Sequence, residues 1–267
     1  MTTDSRARVR QAVLFDLDGT LVDSETNYFE AGRELLAGQG VDDFSWEDHL
    51  WSVGVSTRET VTHWKERYAL GPSVDDLLTE KNRRYLELAR TNTRTYPEMR
   101  RFVELLHGAG VPMAVASGSS RAAIDAILHG TGLGGFMTAT VSADEVASGK
   151  PAPDVFLEAA RRLGAPAAGC VVLEDAVPGV LAAHAAGMRC IAVPFLKDQA
   201  DDPAFVAAEL LFPGGQAEFT ATAAYAWLTG GGRPRAVGRS GAVPVPPGDR
   251  HSAAALGAPF SVLVQTY

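Results

Sequence analysis

The strongest constraint on the fold is a regular alternation that begins after Pro97. Four segments with helical periodicity are each followed by a short apolar run of strand length. The helical segments span 98–107, 120–129, 154–163 and 179–186, and the apolar runs span 111–116, 136–140, 170–173 and 190–193. Strands that alternate with helices of this length form βαβ units around a parallel sheet. A further segment at 9–15 ends in an apolar run, and a last strand–helix pair lies between 209 and 228. The whole pattern predicts a doubly wound α/β fold.

The block between the first strand and this alternation has a different pattern. Residues 24–95 show helical periodicity and almost no strand signals. Ser45, Ser56 and Ser73 each stand three positions before an acidic residue, a pattern typical of helix N-termini. Three tryptophans lie in this block, and we expect them to form its core: Trp46, Trp51 and Trp64.

The position of this block defines the expected domains. We predict a Rossmann-like core built from 9–23 and 96–229, with 24–95 inserted as a helical cap. The segment 230–267 is rich in Gly, Pro, Arg and Ala and shows no periodicity, which predicts a disordered tail.

Composition excludes several classes of protein. The 267 residues are 46% hydrophobic, enough to bury a sizeable core, and the formal net charge of -8 argues against nucleic-acid binding. No apolar run is long enough to span a membrane, and none of signal-peptide length follows the first residues. We therefore expect a cytoplasmic protein. We also expect it to be a monomer or a weak dimer. Cys170 and Cys190 adjoin apolar runs and are predicted to be buried free thiols.

A pair of aspartates follows the first predicted strand. Asp16 and Asp18 are two residues apart in an extended chain, so both side chains face one pocket. Two carboxylates at a strand end repel unless a hard, oxygen-seeking cation holds them. Gly19 permits a sharp exit, and a plain surface Asp-Gly turn is the alternative.

Three further polar clusters follow predicted strands, where open parallel sheets hold their ligands. Ser117-Gly118-Ser119 offers a hydroxyl and backbone N–H groups to a phosphate, or serves only as a helix cap. Lys150 lies on a stiff loop between Gly149 and Pro151, and is either a phosphate-neutralising cation or a solvated lysine. Glu174-Asp175 is an acidic pair that suits a cation. The Lys150–Pro151 peptide is a candidate for the cis form.

Together, in this order, the four clusters resemble the haloacid dehalogenase superfamily of aspartate-nucleophile phosphotransferases. The segment Phe15-Asp16-Leu17-Asp18-Gly19-Thr20-Leu21-Val22-Asp23-Ser24 is very specific to it, and the insert at 24–95 resembles the branch with a helical cap. That branch contains β-phosphoglucomutase and sugar-phosphate phosphatases. The resemblance covers about residues 10–228 and leaves the last segment unexplained.

The resemblance implies a role for each motif residue. Asp16 is the nucleophile, and Asp18 is the general acid and then the general base. Magnesium is held by Asp16, the backbone carbonyl of Asp18 and Asp175, with Glu174 beside them. The phosphate- and substrate-binding residues of the core are Gly19, Thr20, Ser117, Gly118 and Lys150.

The expected function is hydrolysis of a small phosphorylated metabolite, such as a sugar or sugar-alcohol monophosphate. A β-phosphoglucomutase-type mutase is the alternative; a dehalogenase and an inactive binding protein fit less well. Three cap positions are candidate substrate contacts: Gly54, Arg58 and Lys81. Where the mutase pattern has arginine and histidine, this chain has Thr57 and Tyr28, which favours the phosphatase.

Overall fold

The computed structural model describes residues 11–52, 57–196 and 199–230. Its centre is a six-stranded sheet in which every neighbouring pair runs parallel. The strands are β1 (Ala12–Phe15), β4 (Met113–Ser117), β5 (Ala139–Ser142), β6 (Cys170–Glu174), β7 (Arg189–Ala192) and β8 (Leu210–Leu211). Two short strands, β2 (Val22–Asp23) and β3 (Arg94–Thr95), lie outside this sheet. Their order is β5-β4-β1-β6-β7-β8, so β1 is central. The predicted parallel α/β fold is confirmed.

Helices cover both faces of this sheet. They are α5 (Pro97–Gly108), α6 (Arg121–Thr131), α7 (Asp154–Leu163), α8 (Val177–Ala185), α9 (Pro203–Val206) and α10 (Ala221–Thr229). Val13 and Phe15 of β1 face one apolar layer, which contains residues of α5, α6 and α10. Ala12 and Leu14 face the other layer, which contains residues of α7, α8 and α9. A strand buried on both faces explains why its sequence is continuously apolar.

Along the chain, a group of helices is inserted between β1 and the remaining strands of the six-stranded sheet. It consists of α1 (Glu25–Ala37), α2 (Trp46–Leu50), α3 (Thr57–Arg67) and α4 (Val74–Thr91). Two short antiparallel strands, β2 (Val22–Asp23) and β3 (Arg94–Thr95), pair where the chain leaves and re-enters the sheet region. The helices have an apolar core of their own, which includes Leu36, Trp64 and Leu77. The Ser45 hydroxyl accepts from Asp48 N–H in a complete capping box, as the serine pattern predicted.

The expectation for the tryptophans is correct for one residue and wrong for two. Trp64 is 2% exposed, whereas Trp46 and Trp51 are 39% and 49% exposed. Instead of entering the core, Trp51 stacks on His63, with ring centroids 4.1 Å apart. These rings shield each other at the surface.

Several smaller expectations can be compared with the structure. Cys170 and Cys190 are buried free thiols, as predicted. The Lys150–Pro151 peptide is cis. The predicted strand at 136–140 begins later, at Ala139, because Leu133–Phe136 form a turn of 3-10 helix. Within the described residues no helix has the length and apolar character needed to cross a bilayer. The predicted tail at 230–267 lies, except for Gly230, outside the described residues.

Candidate active site

The four polar clusters meet at one edge of the sheet. Asp16 directly follows β1, Ser117 is the last residue of β4, and Glu174 is the last residue of β6. Because β4 and β6 are the two neighbours of β1 and all three run parallel, their carboxyl ends open on the same crevice. The sheet order therefore explains how residues more than 100 positions apart reach one site.

Lys150 stands between two carboxylates of this crevice. Its Nζ donates to Asp16 Oδ1 and to Glu174 Oε1, both at 2.5 Å. The Lys150 and Asp16 side chains are 12% and 10% exposed, and that of Glu174 is 1% exposed. This ammonium is thus fixed beside the predicted nucleophile, which distinguishes it from a solvated lysine.

An acidic cluster surrounds Asp16. Carboxylate oxygens of Asp16, Glu174 and Asp175 lie within 4.8 Å of one another. Burial, together with the charges of Glu174 and Asp18, raises the pKa of Asp16 to about 7, against the opposing effect of Lys150. Burial and the charges of Asp16 and Glu174 raise the pKa of Asp175 well above its usual range. Oxygen ligands that repel one another in a buried site fit a divalent cation such as Mg²⁺.

Lys150 stays protonated in this environment. Burial lowers its pKa, but the charges and hydrogen bonds of Asp16 and Glu174 outweigh burial and raise the pKa above its usual value. One ammonium still leaves an excess of negative charge among the four acids Asp16, Asp18, Glu174 and Asp175. A bound cation would remove much of that excess.

Asp18 is held apart from this acidic cluster. Ser119 Oγ donates to Asp18 Oδ2 at 2.6 Å, with Ser117 Oγ 3.4 Å away. The Tyr85 hydroxyl from α4 lies 3.5 Å from the other oxygen. Asp18 is therefore aimed toward the helical insert. The Ser-Gly-Ser sequence indicated that Ser119 could make a contact in the site. No sequence pattern indicated the contact from Tyr85, because it depends on how α4 packs.

The loop after Asp18 is shaped by a close approach to Asp175. Gly19 has a φ of +75°, and a Cβ placed there would collide with the Asp175 carboxylate. The Thr20 hydroxyl donates to Asp175 Oδ1 at 2.9 Å. Thr20, predicted as a phosphate contact, thus orients an acidic residue of the site. Gly118, another predicted contact, leaves open space where its Cβ would be.

A residue that the sequence did not indicate supports the same loop. Gln216 Nε2 donates to the carbonyl oxygens of Gly19 and Thr20, at 3.1 and 2.8 Å. Its Oε1 is buried without a hydrogen-bond partner among the described residues. Gln216 lies 196 positions beyond Thr20, and no local pattern marks it.

Glu174 is fixed from the side of α8. Its Oε2 accepts from the backbone N–H groups of Asp175 and Ala176, at 3.1 and 3.3 Å. A Cβ at Gly179 would overlap the Glu174 carboxylate, so this helix position needs glycine. The carboxylate is thereby kept in contact with Lys150.

The predicted cap contacts occupy different environments. Lys81 is 4% exposed, and its ammonium lies 5.0 Å from the centroid of the Tyr28 ring. Arg58 is at the surface, where its guanidinium binds Asp75 at 2.7 Å. Gly54 lies outside the described residues. Only Lys81 is thus seen facing the interior of the insert.

Tyr28 and Tyr85 connect Lys81 with Asp18. Their rings stack with centroids 4.1 Å apart and planes inclined by 17°. Burial raises the pKa of both phenols well above the usual range, so both remain neutral donors.

Comparison with known proteins agrees with the family resemblance of the sequence motifs. The model of the haloacid dehalogenase-like hydrolase family matches residues 11–187. The chain is 37% identical over 198 residues to the bifunctional riboflavin kinase/FMN phosphatase of Arabidopsis thaliana, covering 74% of this chain and 52% of the plant protein. It is 32% identical over 200 residues to hexitol phosphatase B of Escherichia coli, covering 74% of this chain and 90% of that protein.

A solved structure shows the same fold. It is a variant of CbbY from Rhodobacter sphaeroides in complex with xylulose-(1,5)bisphosphate. The TM-score is 0.63 at 27% sequence identity, over 78% of this chain and 95% of that chain. The matched span contains the acidic site and most of the six-stranded sheet. The chain belongs to the haloacid dehalogenase-like hydrolases.

Proposed function

We propose that this protein is a Mg²⁺-dependent phosphatase of small phosphorylated metabolites that forms a phosphoaspartate on Asp16. The observation that carries the proposal is the contact of one largely buried ammonium, Lys150, with both Asp16 and Glu174. A carboxylate is a phosphoryl acceptor in several enzyme classes. The ammonium beside it can stabilise charge on the transferring phosphoryl group.

Each neighbouring residue has a chemical task in this proposal. Asp18 donates a proton to the leaving alcohol and afterwards takes one from the attacking water. Asp16, the backbone carbonyl of Asp18 and Asp175 would hold Mg²⁺, beside Glu174, and the metal would neutralise phosphoryl oxygens. Ser117 and the backbone at Gly118 offer hydrogen bonds to the phosphoryl group. Residues 24–95 act as the cap that recognises the leaving group.

We propose a sugar or sugar-alcohol monophosphate as the substrate. The likeness to hexitol phosphatase B supports this class. The negative net charge disfavours nucleic acid as a partner, and a metabolite of this kind suits a cytoplasmic enzyme.

Phosphate release is the direct test. Wild-type protein should hydrolyse p-nitrophenyl phosphate only with Mg²⁺, and a panel of sugar and sugar-alcohol phosphates should identify the preferred leaving group. Absence of turnover on the whole panel would refute the phosphatase.

The mutase alternative is tested separately. Tyr28 replaces the histidine of the mutase pattern, and Arg58 is paired at the surface with Asp75. We therefore expect β-glucose 1-phosphate, with a trace of its 1,6-bisphosphate, to yield inorganic phosphate. Net conversion to glucose 6-phosphate with little phosphate would establish a mutase instead.

A further inference from the structure

Gln216 connects the last part of the core with the loop that follows the two aspartates. Its Nε2 donates to two consecutive carbonyl oxygens, those of Gly19 and Thr20, at 3.1 and 2.8 Å. Gln216 lies in a turn of 3-10 helix, Gly215–Ala217, which follows β8. One side chain from the end of the core thus holds a loop that begins directly after Asp18.

The turn that carries Gln216 is itself packed against the site. A Cβ at Gly215 would collide with the carbonyl oxygen of Pro194, so the two backbone segments are in close contact. The N–H of the next residue, Phe195, donates to the carbonyl oxygen of Asp175 at 3.2 Å. The amide of Gln216 therefore starts from a backbone that is tied to the loop of Asp175.

Both residues that Gln216 holds also contact the Asp175 carboxylate. The Thr20 hydroxyl donates to Oδ1 at 2.9 Å. Gly19 approaches Oδ2 so closely that a Cβ would collide with it. Thr20 is fully buried, which shields its hydrogen bond from solvent. The position of the loop therefore limits where this carboxylate can lie.

The amide contributes less to folding stability than its two hydrogen bonds suggest. The Oε1 of Gln216 is buried and has no hydrogen-bond partner in the part of the chain that the structure describes. A buried acceptor without a partner costs free energy, which offsets part of the gain from the two donated bonds. The specific consequence of the amide is thus the placement of the two carbonyl groups.

A magnesium site is sensitive to such placement. Mg²⁺ requires near-ideal octahedral geometry with short metal–oxygen distances. Residues that orient the ligands of a metal contribute strongly to its affinity. Asp175 is one of the three acids whose carboxylate oxygens lie within 4.8 Å of one another. A displaced loop would move the Thr20 hydroxyl, and the Asp175 carboxylate would lose its fixed orientation.

We propose that Gln216 is a positioning residue for the metal site: it fixes the loop of Gly19 and Thr20, and Thr20 then orients the Asp175 carboxylate for Mg²⁺. The proposal rests on the proposed function, because it takes Asp175 as a metal ligand. It concerns the affinity for the metal, whereas the chemical step takes place at Asp16.

The test measures Mg²⁺ binding without substrate, so the result does not depend on turnover. The Tm of full-length protein is followed as the Mg²⁺ concentration rises, and its increase above the Tm of the same protein in EDTA gives an apparent Kd. Gln216→Met removes the donor and keeps an unbranched side chain of similar size. It should raise the Kd of Mg²⁺ by at least about fivefold, and Thr20→Val should raise it by about tenfold or more.

A double variant assigns the effect to this route. If Gln216 acts through Thr20, the combined variant should raise the Kd by clearly less than the product of the two single effects. Should Gln216→Met lack a cooperative melt in EDTA, Gln216→Asn gives the same comparison, because its amide is one methylene shorter.

The matched control is Gln11→Met. The Nε2 of Gln11 also donates to a distant backbone carbonyl, that of Leu228 at 3.4 Å. Gln11 precedes the first residue of β1, at the end of the strand opposite to Asp16. This variant should leave the Kd of Mg²⁺ unchanged.

The outcomes separate the two proposals. An unchanged Kd in a folded Gln216 variant overturns the role of Gln216, as does a double variant that shows the full product of the single effects. Failure of wild-type protein to bind Mg²⁺ overturns it as well. Phosphate release by wild-type protein is measured separately. Mg²⁺ binding that depends on Gln216, without phosphate release, would preserve the positioning role and overturn the phosphatase.

Discussion

Replacement of Lys150 by methionine tests how much the ion pairs of Lys150 contribute to the stability of the folded protein. Methionine keeps an unbranched side chain but removes the ammonium that contacts Asp16 and Glu174. Two buried carboxylates are then left without a cation. Removal of one partner from a buried ion pair costs about 3–5 kcal/mol. For a domain of this size, such a loss lowers Tm by roughly 6–20 °C.

The loss of folding stability in the Lys150→Met variant should depend on pH, and the pKa of Asp16 determines the direction of this dependence. The folded pKa of Asp16 is about 7, above the ordinary value of 3.8, so the folded state holds its proton more tightly than the unfolded state. Stability associated with Asp16 is therefore fully present below pH 3.8 and is lost as pH rises through about 7. Without Lys150, which lowers this pKa, the carboxyl should hold its proton more tightly still.

Thermal unfolding of wild type and Lys150→Met at pH 5 and pH 8 measures the effect. The difference in Tm should be large at pH 8 in EDTA, smaller at pH 5, and reduced at pH 8 by Mg²⁺. Lys65→Met is the control, because the Lys65 ammonium binds the backbone carbonyls of Leu70 and Pro72. Its effect should be the same at both pH values. An equal loss for Lys150→Met at pH 5 and pH 8 would refute the electrostatic explanation.

Four further outcomes are expected. Asp16→Asn should abolish turnover with an unchanged fold; residual activity above a few per cent would identify another nucleophile. Asp18→Asn should lower kcat/KM by about 10²–10⁴ on alkyl phosphates and by less on aryl phosphates, whose leaving groups need less protonation, so equal losses on both would contradict the acid role. EDTA should remove activity and Asp175→Ala should raise the Mg²⁺ concentration for half-maximal rate; unchanged Mg²⁺ affinity in the variant would exclude Asp175 as a ligand. Truncation after Gly230 should leave kcat and solubility intact, and a large loss of either would show that the tail docks.

The core could be predicted from the sequence because its signals are local. A strand buried on both faces must be apolar throughout, and the polar residues at its end then stand out. This reasoning located Asp16, Ser117 and Glu174, whereas the stiff loop between Gly149 and Pro151 indicated Lys150. The structure brings all four to one edge of the sheet.

The helical insert was less predictable because its faces are set by packing. A serine cap fixes where α2 begins, yet it does not say which side of a short helix is buried, and Trp46 and Trp51 proved to be exposed. The strands β2 and β3 have two residues each, too few for a periodic signal. The contact between His49 and Glu25 joins two helices, so neither local sequence indicates it.

The amide of Gln216 has a consequence for biosynthesis. It donates to the carbonyls of Gly19 and Thr20, in the loop that directly follows the two aspartates. This loop therefore gains the two hydrogen bonds from Gln216 only after a segment near residue 216 has been translated. On the ribosome, Asp16 emerges early, and the contacts of Gln216 with the adjacent loop form late. A nascent chain arrested before Gln216 would carry every acidic group of the site without that support.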